Sequence, residues 1–245
     1  TAVPTGPAFL EEIPEVINYS RIEIWDNILI RKGERVFLED NFYWADSGFF
    51  EIFSFPLISG DPSTVLKEPR SMVISEKMAK KYFGNDDPVG QVLEAFNDSV
   101  DYTITGVMRD IPDNSHIFFD FIVDFRSIWR ADQTEWTSNN VYTYLLLDRE
   151  MEPERMREIF DPIVRKYVAP EIKHYVGITL EEWEAGGNYY RLEAQPLTDI
   201  HLNTDIEHGF RPSSDKKYVY IFSLIALFII VIACINFMNL STARS

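Results

Sequence analysis

Apolar and polar positions along this chain fall into short runs whose period keeps changing, followed by one long run with no period at all. GPAFLEEI (6–13) reads as one or two turns of helix, with Pro7 early and Pro14 as its stop. VINYSRIEIWDNILI (16–30) and ERVFLEDNFYW (34–44) read as strands about a turn at Lys32-Gly33-Glu34. ADSGFFEIFSF (45–55) predicts a short helix capped by Asp46 that packs Phe49, Phe50 and Phe53.

The clearest local unit is 71–112. Met72 to Ile74 form a short strand and Ser75 is an N-cap. Glu76 lies in the first helical turn, Lys80 and Lys81 in the last, and Gly84 is the expected left-handed C′ residue. Met78, Ala79 and Phe83 fall on one face. NDDPVG turns the chain into QVLEAF, and Asn97-Asp98 opens a hairpin to VDYTITGVM. There Val100, Tyr102, Ile104 and Met108 alternate with Asp101, Thr103 and Thr105, the period of a half-buried strand.

Beyond it, VYTYLLL (141–147) predicts another strand. EPERMREIFDPIVRKYV (152–168) places Met156, Ile159, Phe160, Ile163, Val164 and Tyr167 at helical spacing, with Pro162 allowing a kink or a break. NYYRLEAQPLTDIHL (188–202) offers a last strand. The mixture predicts α+β layers. Residues of about 112–140, rich in aromatics and without clear period, are expected as an inserted subdomain.

Tyr218 to Met238 then carries no charge, proline or glycine. A helix of that length covers about 30 Å, the hydrocarbon thickness of a bilayer. The run is therefore expected to span a membrane, with Tyr218, Ile221, Phe222, Leu227, Ile232 and Met238 inside it and Tyr218 and Tyr220 near its boundary. RPSSDKK before it supplies Ser213 or Ser214 as N-cap and Asp215 for the first turn. Lys216 and Lys217 precede the run and Arg244 follows it, which by local charge slightly favours a cytoplasmic position for the preceding domain.

Composition narrows the reading. A net charge of −16 over 245 residues argues against nucleic-acid partners, which need a basic face. An aromatic content of 14% argues for a real core instead of disorder. The single cysteine, Cys234, lies in the apolar run, so no intramolecular disulfide can form. The opening TAVPTGPAFLEE has neither the basic stretch nor the apolar core of a secretory signal.

A search for chemistry finds none, and no cofactor, catalytic residue or metal ligand is assigned. GNDDPVG lacks the spacing and the Lys-Ser/Thr of a phosphate loop. His201, Asp205, Glu207 and His208 cluster in HLNTDIEH, but their spacing matches no zinc pattern and a polar connector is the better reading. Ser115-His116 sits in DIPDNSH, which reads as a turn. The tryptophans (Trp25, Trp44, Trp129, Trp136, Trp183) read as core before they read as a ligand cleft.

Two stretches together resemble a known family. FFEIFSFPLISGDPSTVLKEPRSMVISEKMAKKYFGNDDPVGQVL (49–93) and YTITGVMRDIPDNSHIFFDFIV (102–123) look like the extracytoplasmic core domain of MacB/FtsX-type ABC transporter permeases. The matching positions are Ala79, Phe83, Gly84, Asp87, Pro88, Val89 and Gly90, then Thr105, Gly106 and onward to Pro112. CINFMNLSTARS resembles the end of the family's second transmembrane helix.

The resemblance implies a periplasmic core domain over 1–212, with a porter-like βαβ layer and a sabre-like inserted part. A stalk and membrane helix over 213–245 would follow, in the bacterial inner membrane. It also implies an ABC ATPase subunit, a homodimer or paired permease, and a periplasmic adaptor or outer-membrane channel as partners. The permease subunit itself would be non-catalytic, coupling cytoplasmic ATP hydrolysis to periplasmic movement for efflux or mechanotransmission. The rival readings are a ligand-binding ectodomain of a membrane sensor and a membrane-anchored hydrolase, for which no motif speaks.

Overall fold

Two Asp-Asn pairs shape the first part of the chain. In the computed structural model, which describes residues 1–95, 100–112, 114–202 and 216–243, α1 (Thr5–Glu12) leads into β1 (Val16–Trp25), β2 (Ile28–Lys32), β3 (Arg35–Glu39) and β4 (Phe42–Ala45). The sequence pattern joined β1 to β2 and β3 to β4. The structure breaks each run, at Asp26-Asn27 and at Asp40-Asn41. Asn27 and Asn41 take φ of 60° and 58°, the left-handed region that asparagine tolerates. Each aspartate holds the other corner: Asp40 Oδ1 accepts the Asn27 N–H (3.0 Å) and Asp26 Oδ1 accepts the Asn41 N–H (2.9 Å). Between them β2 and β3 form a hairpin whose two-residue turn puts Gly33 at φ 60°.

The chain continues through α2 (Phe49–Ile52), β5 (Leu57–Ser59), β6 (Ser71–Ser75), α3 (Glu76–Phe83), β7 (Val92–Ala95) and β8 (Val100–Met108). Then come β9 (Phe121–Asp124), β10 (Tyr142–Leu147), α4 (Pro153–Val176), α5 (Leu180–Ala185) and α6 (Lys216–Ala243). It folds as two compact units, Thr1–Ala194 and Gln195–Ser245. All the strands named join one mixed sheet in the order β10-β1-β4-β9-β6-β8-β7-β2-β3, with β5 attached to β8. The β4–β9 and β6–β8 pairs are parallel and the others antiparallel. The fold class is α+β, and β6-α3-β8 supplies a βαβ layer.

That order forces the sheet to curl. Only Asp26 and Asn27 separate β1 from β2, so their ends lie within about 11 Å. Five strands intervene in the sheet, which laid flat would set them about 29 Å apart. The curl brings Ile28 and Ile30 of β2 into one core with Phe42 and Trp44 of β4, Tyr102 of β8 and Phe121 of β9. A second core lies under α4, where Met156, Phe160, Ile163, Val164 and Val168 meet Phe9, Val16 and Trp136.

Several expectations are corrected. Residues 112–140 are not a separate inserted body: β9 runs through the middle of the sheet, between β4 and β6, within the unit Thr1–Ala194. No strand forms at 188–202; residues 188–196 are irregular and Leu197–Leu202 is a 3₁₀ turn. Tyr190, Leu192 and Ala194 pack on the α4 core instead of alternating along a sheet edge, and Pro196 lacks the N–H a ladder needs. Asp46 is not a side-chain cap of α2; its carboxylate is taken by Arg21. Gly84 has the expected positive φ of 67°, but its ψ of −110° lies outside the left-handed helical region.

Other expectations hold. Ser75 caps α3 by accepting the Met78 N–H (3.4 Å), and Met78 and Phe83 are buried. In β8 the buried and exposed positions alternate as far as Thr105. α4 continues unbroken through both Pro162 and Pro170, each on its exposed side. An interior proline costs a helix about 3 kcal/mol. Burial of the opposite face offsets that cost, and carbonyls freed on the exposed side can turn to water. Asn97-Asp98, the Ser213–Asp215 cap, Asp205, Glu207, His208 and Arg244 lie outside the described residues.

Candidate functional site: the apolar helix and the family motif

α6 is 28 residues long, about 42 Å. Its stretch Tyr220–Asn239 has a mean hydropathy of 2.8 and is nowhere buried by protein. Apolar side chains stand out on every face: Ile221, Phe222, Leu227, Ile232 and Met238 are all at least half exposed, and Tyr220 at the near end is 73% exposed. Tyr218 lies one turn before them in the same helix. A water-soluble helix keeps at least one polar face. The stretch Tyr220–Asn239 has none, and it is long and apolar enough to cross a membrane. Cys234 is exposed within it.

In the unit Thr1–Ala194, the motif residues singled out from the sequence come together around one turn and one crossing. α3 ends at Phe83, which packs in the core beside half-buried Ala79. Gly84 redirects the chain into NDDPVG. There Asp87 Oδ1 accepts the Val89 N–H (3.0 Å), a side-chain turn that Pro88 pre-sets. Gly90, at φ 84°, donates its N–H to Ile104 O (2.8 Å), and Gln91 O accepts the Ile104 N–H (2.8 Å). The turn is thus stitched flat onto β8. Gly106 of β8 lies under β5: a Cβ there would sit 2.9 Å from Ser59 O and 3.0 Å from Val65 Cγ1. Gly84, Asp87, Pro88, Gly90 and Gly106 thus shape the backbone path, while Ala79 and Phe83 pack the core.

Among the described residues the buried charges are paired, and most of the pairs join separate elements. Arg21 of β1 grips Asp46 through Nε (2.9 Å) and Nη2 (2.7 Å), while the Arg21 N–H reaches the same carboxylate (2.7 Å). Its Nη1 donates to Val3 O (3.1 Å), and its guanidinium lies 4.2 Å over the Phe125 ring. Burial works against the Arg21 charge, but the bonds to Asp46 and its charge outweigh it and hold the group above its ordinary value. Glu39 at the end of β3 takes Lys81 (2.6 Å) and the Tyr82 hydroxyl of α3. Burial first, then Glu39, raises the Tyr82 phenol well above its usual range. Asp120 takes Ser75 (3.0 Å) and Lys77 (2.9 Å). Burial likewise pushes Asp124 up, partly countered by Arg126.

No nucleophile–base pair emerges from these contacts. Among the described residues no three His, Cys, Asp or Glu gather to hold a metal. Ser115 donates to Ile117 O (2.7 Å) within a turn. A shallow cleft of about 400 Å³ between α4 and α5 is lined by Arg165, Lys166, Lys173 and Glu181 over Ala169, Pro170 and Leu180. Arg165 is already bound to Asp161 and Glu184, and Lys166 to Glu12. Trp44 and Trp136 are core residues, Trp25 and Trp183 pack against the cores, and Trp129 is 70% exposed.

The sequence model of the MacB-like periplasmic core domain matches residues 4–162. The chain belongs to this family. Its matched portion takes in every strand of the sheet and ends within α4, so α6 lies beyond it. Comparison with curated proteins finds no match. Among solved structures, a domain assigned to a permease protein of Porphyromonas gingivalis is similar at 24% identity and a TM-score of 0.58, over 66% of this chain and 75% of that one. The periplasmic region of MacB from Actinobacillus actinomycetemcomitans shares 13% identity at a TM-score of 0.46, over 76% of this chain and 83% of that one. The extracellular domain of the noncanonic ABC-type transporter YknZ from Gram-positive bacteria shares 16% at 0.42, over 69% and 81%. In this chain the MacB-like core is a curled mixed sheet in which Gly84, Asp87 and Gly90 shape the turn between α3 and β7.

Proposed function

We propose that residues 1–212 are the periplasmic part, and 213–245 the stalk and membrane helix, of an ABC transporter permease subunit. It would work with an ATPase subunit on the cytoplasmic side. ATP binding and hydrolysis move α6, and α6 moves the MacB-like core. A second permease chain, and a periplasmic adaptor or outer-membrane channel, complete the machine in this reading. The subunit itself is a transmitter and not an enzyme.

The observation that carries the reading is the length and continuity of α6. At about 42 Å it exceeds a hydrocarbon core of about 30 Å. Four residues, Lys216 to Val219, precede the apolar span without a break in the helix. A continuous helix carries both tilt and rotation past the lipid surface, whereas a flexible joint there would dissipate them.

The test is to change Lys217 and Tyr218 together to glycine, and separately to alanine, in the assembled transporter. Each glycine costs the helix about 1 kcal/mol relative to alanine and frees the backbone. The double glycine variant should keep basal ATPase activity and lose most transport-coupled stimulation; the double alanine variant should keep both. Full coupling in the glycine variant would refute the lever.

A further inference from the structure

Residues 188–194 lie on α4 without joining the sheet, and their own side chains fasten them. Among the described residues no backbone–backbone bond ties them to another element. Gly187, at φ 88°, turns the chain after α5, and Asn188 Nδ2 donates to Trp183 O (3.1 Å). The Tyr190 hydroxyl donates to Trp136 O (2.6 Å), with Asn139 Oδ1 also in reach (2.9 Å). Trp136 in turn stacks on Tyr167 of α4, with ring centroids 4.5 Å apart. Glu193 pairs with Arg157, nearer the start of the same helix (2.9 Å). The segment therefore runs antiparallel to α4, from the level of Tyr167 to that of Arg157, and Tyr190, Leu192 and Ala194 pack on the core beneath.

Its anchor is itself held firmly. Glu171 of α4 accepts the N–H groups of Trp136 (2.7 Å) and Thr137 (2.9 Å) and the Thr137 hydroxyl (2.9 Å). Asn139 bridges to Ala2, and Val141 donates its N–H to Thr1 O (3.1 Å). Tyr190 is thus fastened to a loop that α4 and the first residues of the chain both brace. Its partners belong to the core under α4 and not to the one that holds Ile28, Trp44 and Tyr102. Directly after Ala194 begins the second compact unit, which contains α6. A pull that travels along the chain from α6 meets these residues first. The Arg157–Glu193 pair has side chains 48% and 62% exposed, and such a pair holds little. Tyr190 and the apolar contacts beside it carry the hold.

We infer that residues 188–194 are a load-bearing strap. Movement of α6 enters the unit Thr1–Ala194 through it, at α4 and the 136–139 loop, with Tyr190 as the positioning residue that keeps it seated. With no ladder behind it, the strap lifts when that one anchor goes, while the sheet stays intact. The inference rests on the lever reading of α6 and adds where the lever grips.

The test uses the assembled transporter in opened membrane vesicles, with Cys234→Ser and the reporter Ala194→Cys, a half-buried position. A maleimide should label residue 194 slowly, with or without ATP. Adding Tyr190→Phe keeps the ring and removes the hydroxyl; labelling should then rise at least about fivefold, the worth of one such hydrogen bond. It should rise again while ATP is turned over, because load then helps to lift the strap. Adding Tyr189→Phe instead, at a residue 72% exposed, should change neither rate. Labelling unmoved by Tyr190→Phe would overturn the anchor. Labelling that rises yet ignores ATP turnover would overturn the load-bearing role, since a merely structural contact behaves in that way. The glycine pair at 217 and 218 then separates the two failures. If it uncouples the transporter, the lever stands and the strap alone is refuted; if it does not, the lever falls as well.

Discussion

Replacing Asp46 by alanine should remove about 3–5 kcal/mol of stability, the loss expected when one partner of a buried ion pair is deleted. Arg21 would remain with a side chain only 8% exposed and three of its hydrogen bonds gone. A domain has in total about 5–15 kcal/mol to lose, so the variant should be largely unfolded at modest denaturant. The damage comes from the charge left behind, not from the value of the pair. Changing both residues to apolar ones of similar volume, Arg21→Met with Asp46→Leu, should therefore recover most of the loss. Arg155–Glu158 on the surface of α4, with side chains 65% and 68% exposed, sets the contrast: Glu158→Ala should cost less than about 0.5 kcal/mol. Chemical denaturation of the three variants measures all of this. Equal losses for Asp46→Ala and Glu158→Ala would contradict the arrangement.

The parts of the fold legible in the sequence are those set by neighbours along the chain. Ser75, Glu76, Lys80, Lys81 and Gly84 bracket α3, and the alternation of Val100 to Thr105 marks β8, because caps and pleats act within a few residues. Asp26-Asn27 and Asp40-Asn41 were readable as turn formers, yet each sits inside an apolar run that masks it. What makes them corners is the bond each forms to the other, between residues well apart in sequence. The place of β9 between β4 and β6, and of β2 beside β7, follows from pairing that leaves no local trace. Residues 188–196 show the opposite error: their alternation of Tyr190, Leu192 and Ala194 suits a strand, but it serves packing on α4. For the site, the family motif and the apolar run were visible at once. The grip of Arg21 on Asp46 was not, because a carboxylate before a helix looks like a cap until its partner is known.

Replacing Ile229 by arginine, near the middle of Tyr220–Asn239, should shift the protein from the membrane to the soluble fraction or to degradation. Isoleucine favours insertion by about 0.5 kcal/mol and arginine opposes it by about 2.5 kcal/mol or more at that depth. A difference of about 3 kcal/mol is more than a hundredfold in partition. Ile229 is 62% exposed, and no described residue of the chain buries that stretch to shelter a charge. At Tyr220, on the boundary, the same substitution should do little, because a long cationic side chain reaches the interface. Alkaline extraction of membranes compares them. If both variants stayed equally in the pellet, α6 would not be spanning.

The account rests on α6 crossing the inner membrane with the curled sheet outside the cytoplasm. Its most direct measurement is labelling by a membrane-impermeant maleimide in spheroplasts, with Cys234→Ser removing the native thiol. Tyr189→Cys, 72% exposed in the unit that holds the sheet, should label at once. Ser245→Cys, beyond α6, should label only after the membrane is opened. Labelling of both in intact spheroplasts, or of Ser245→Cys alone, would contradict it.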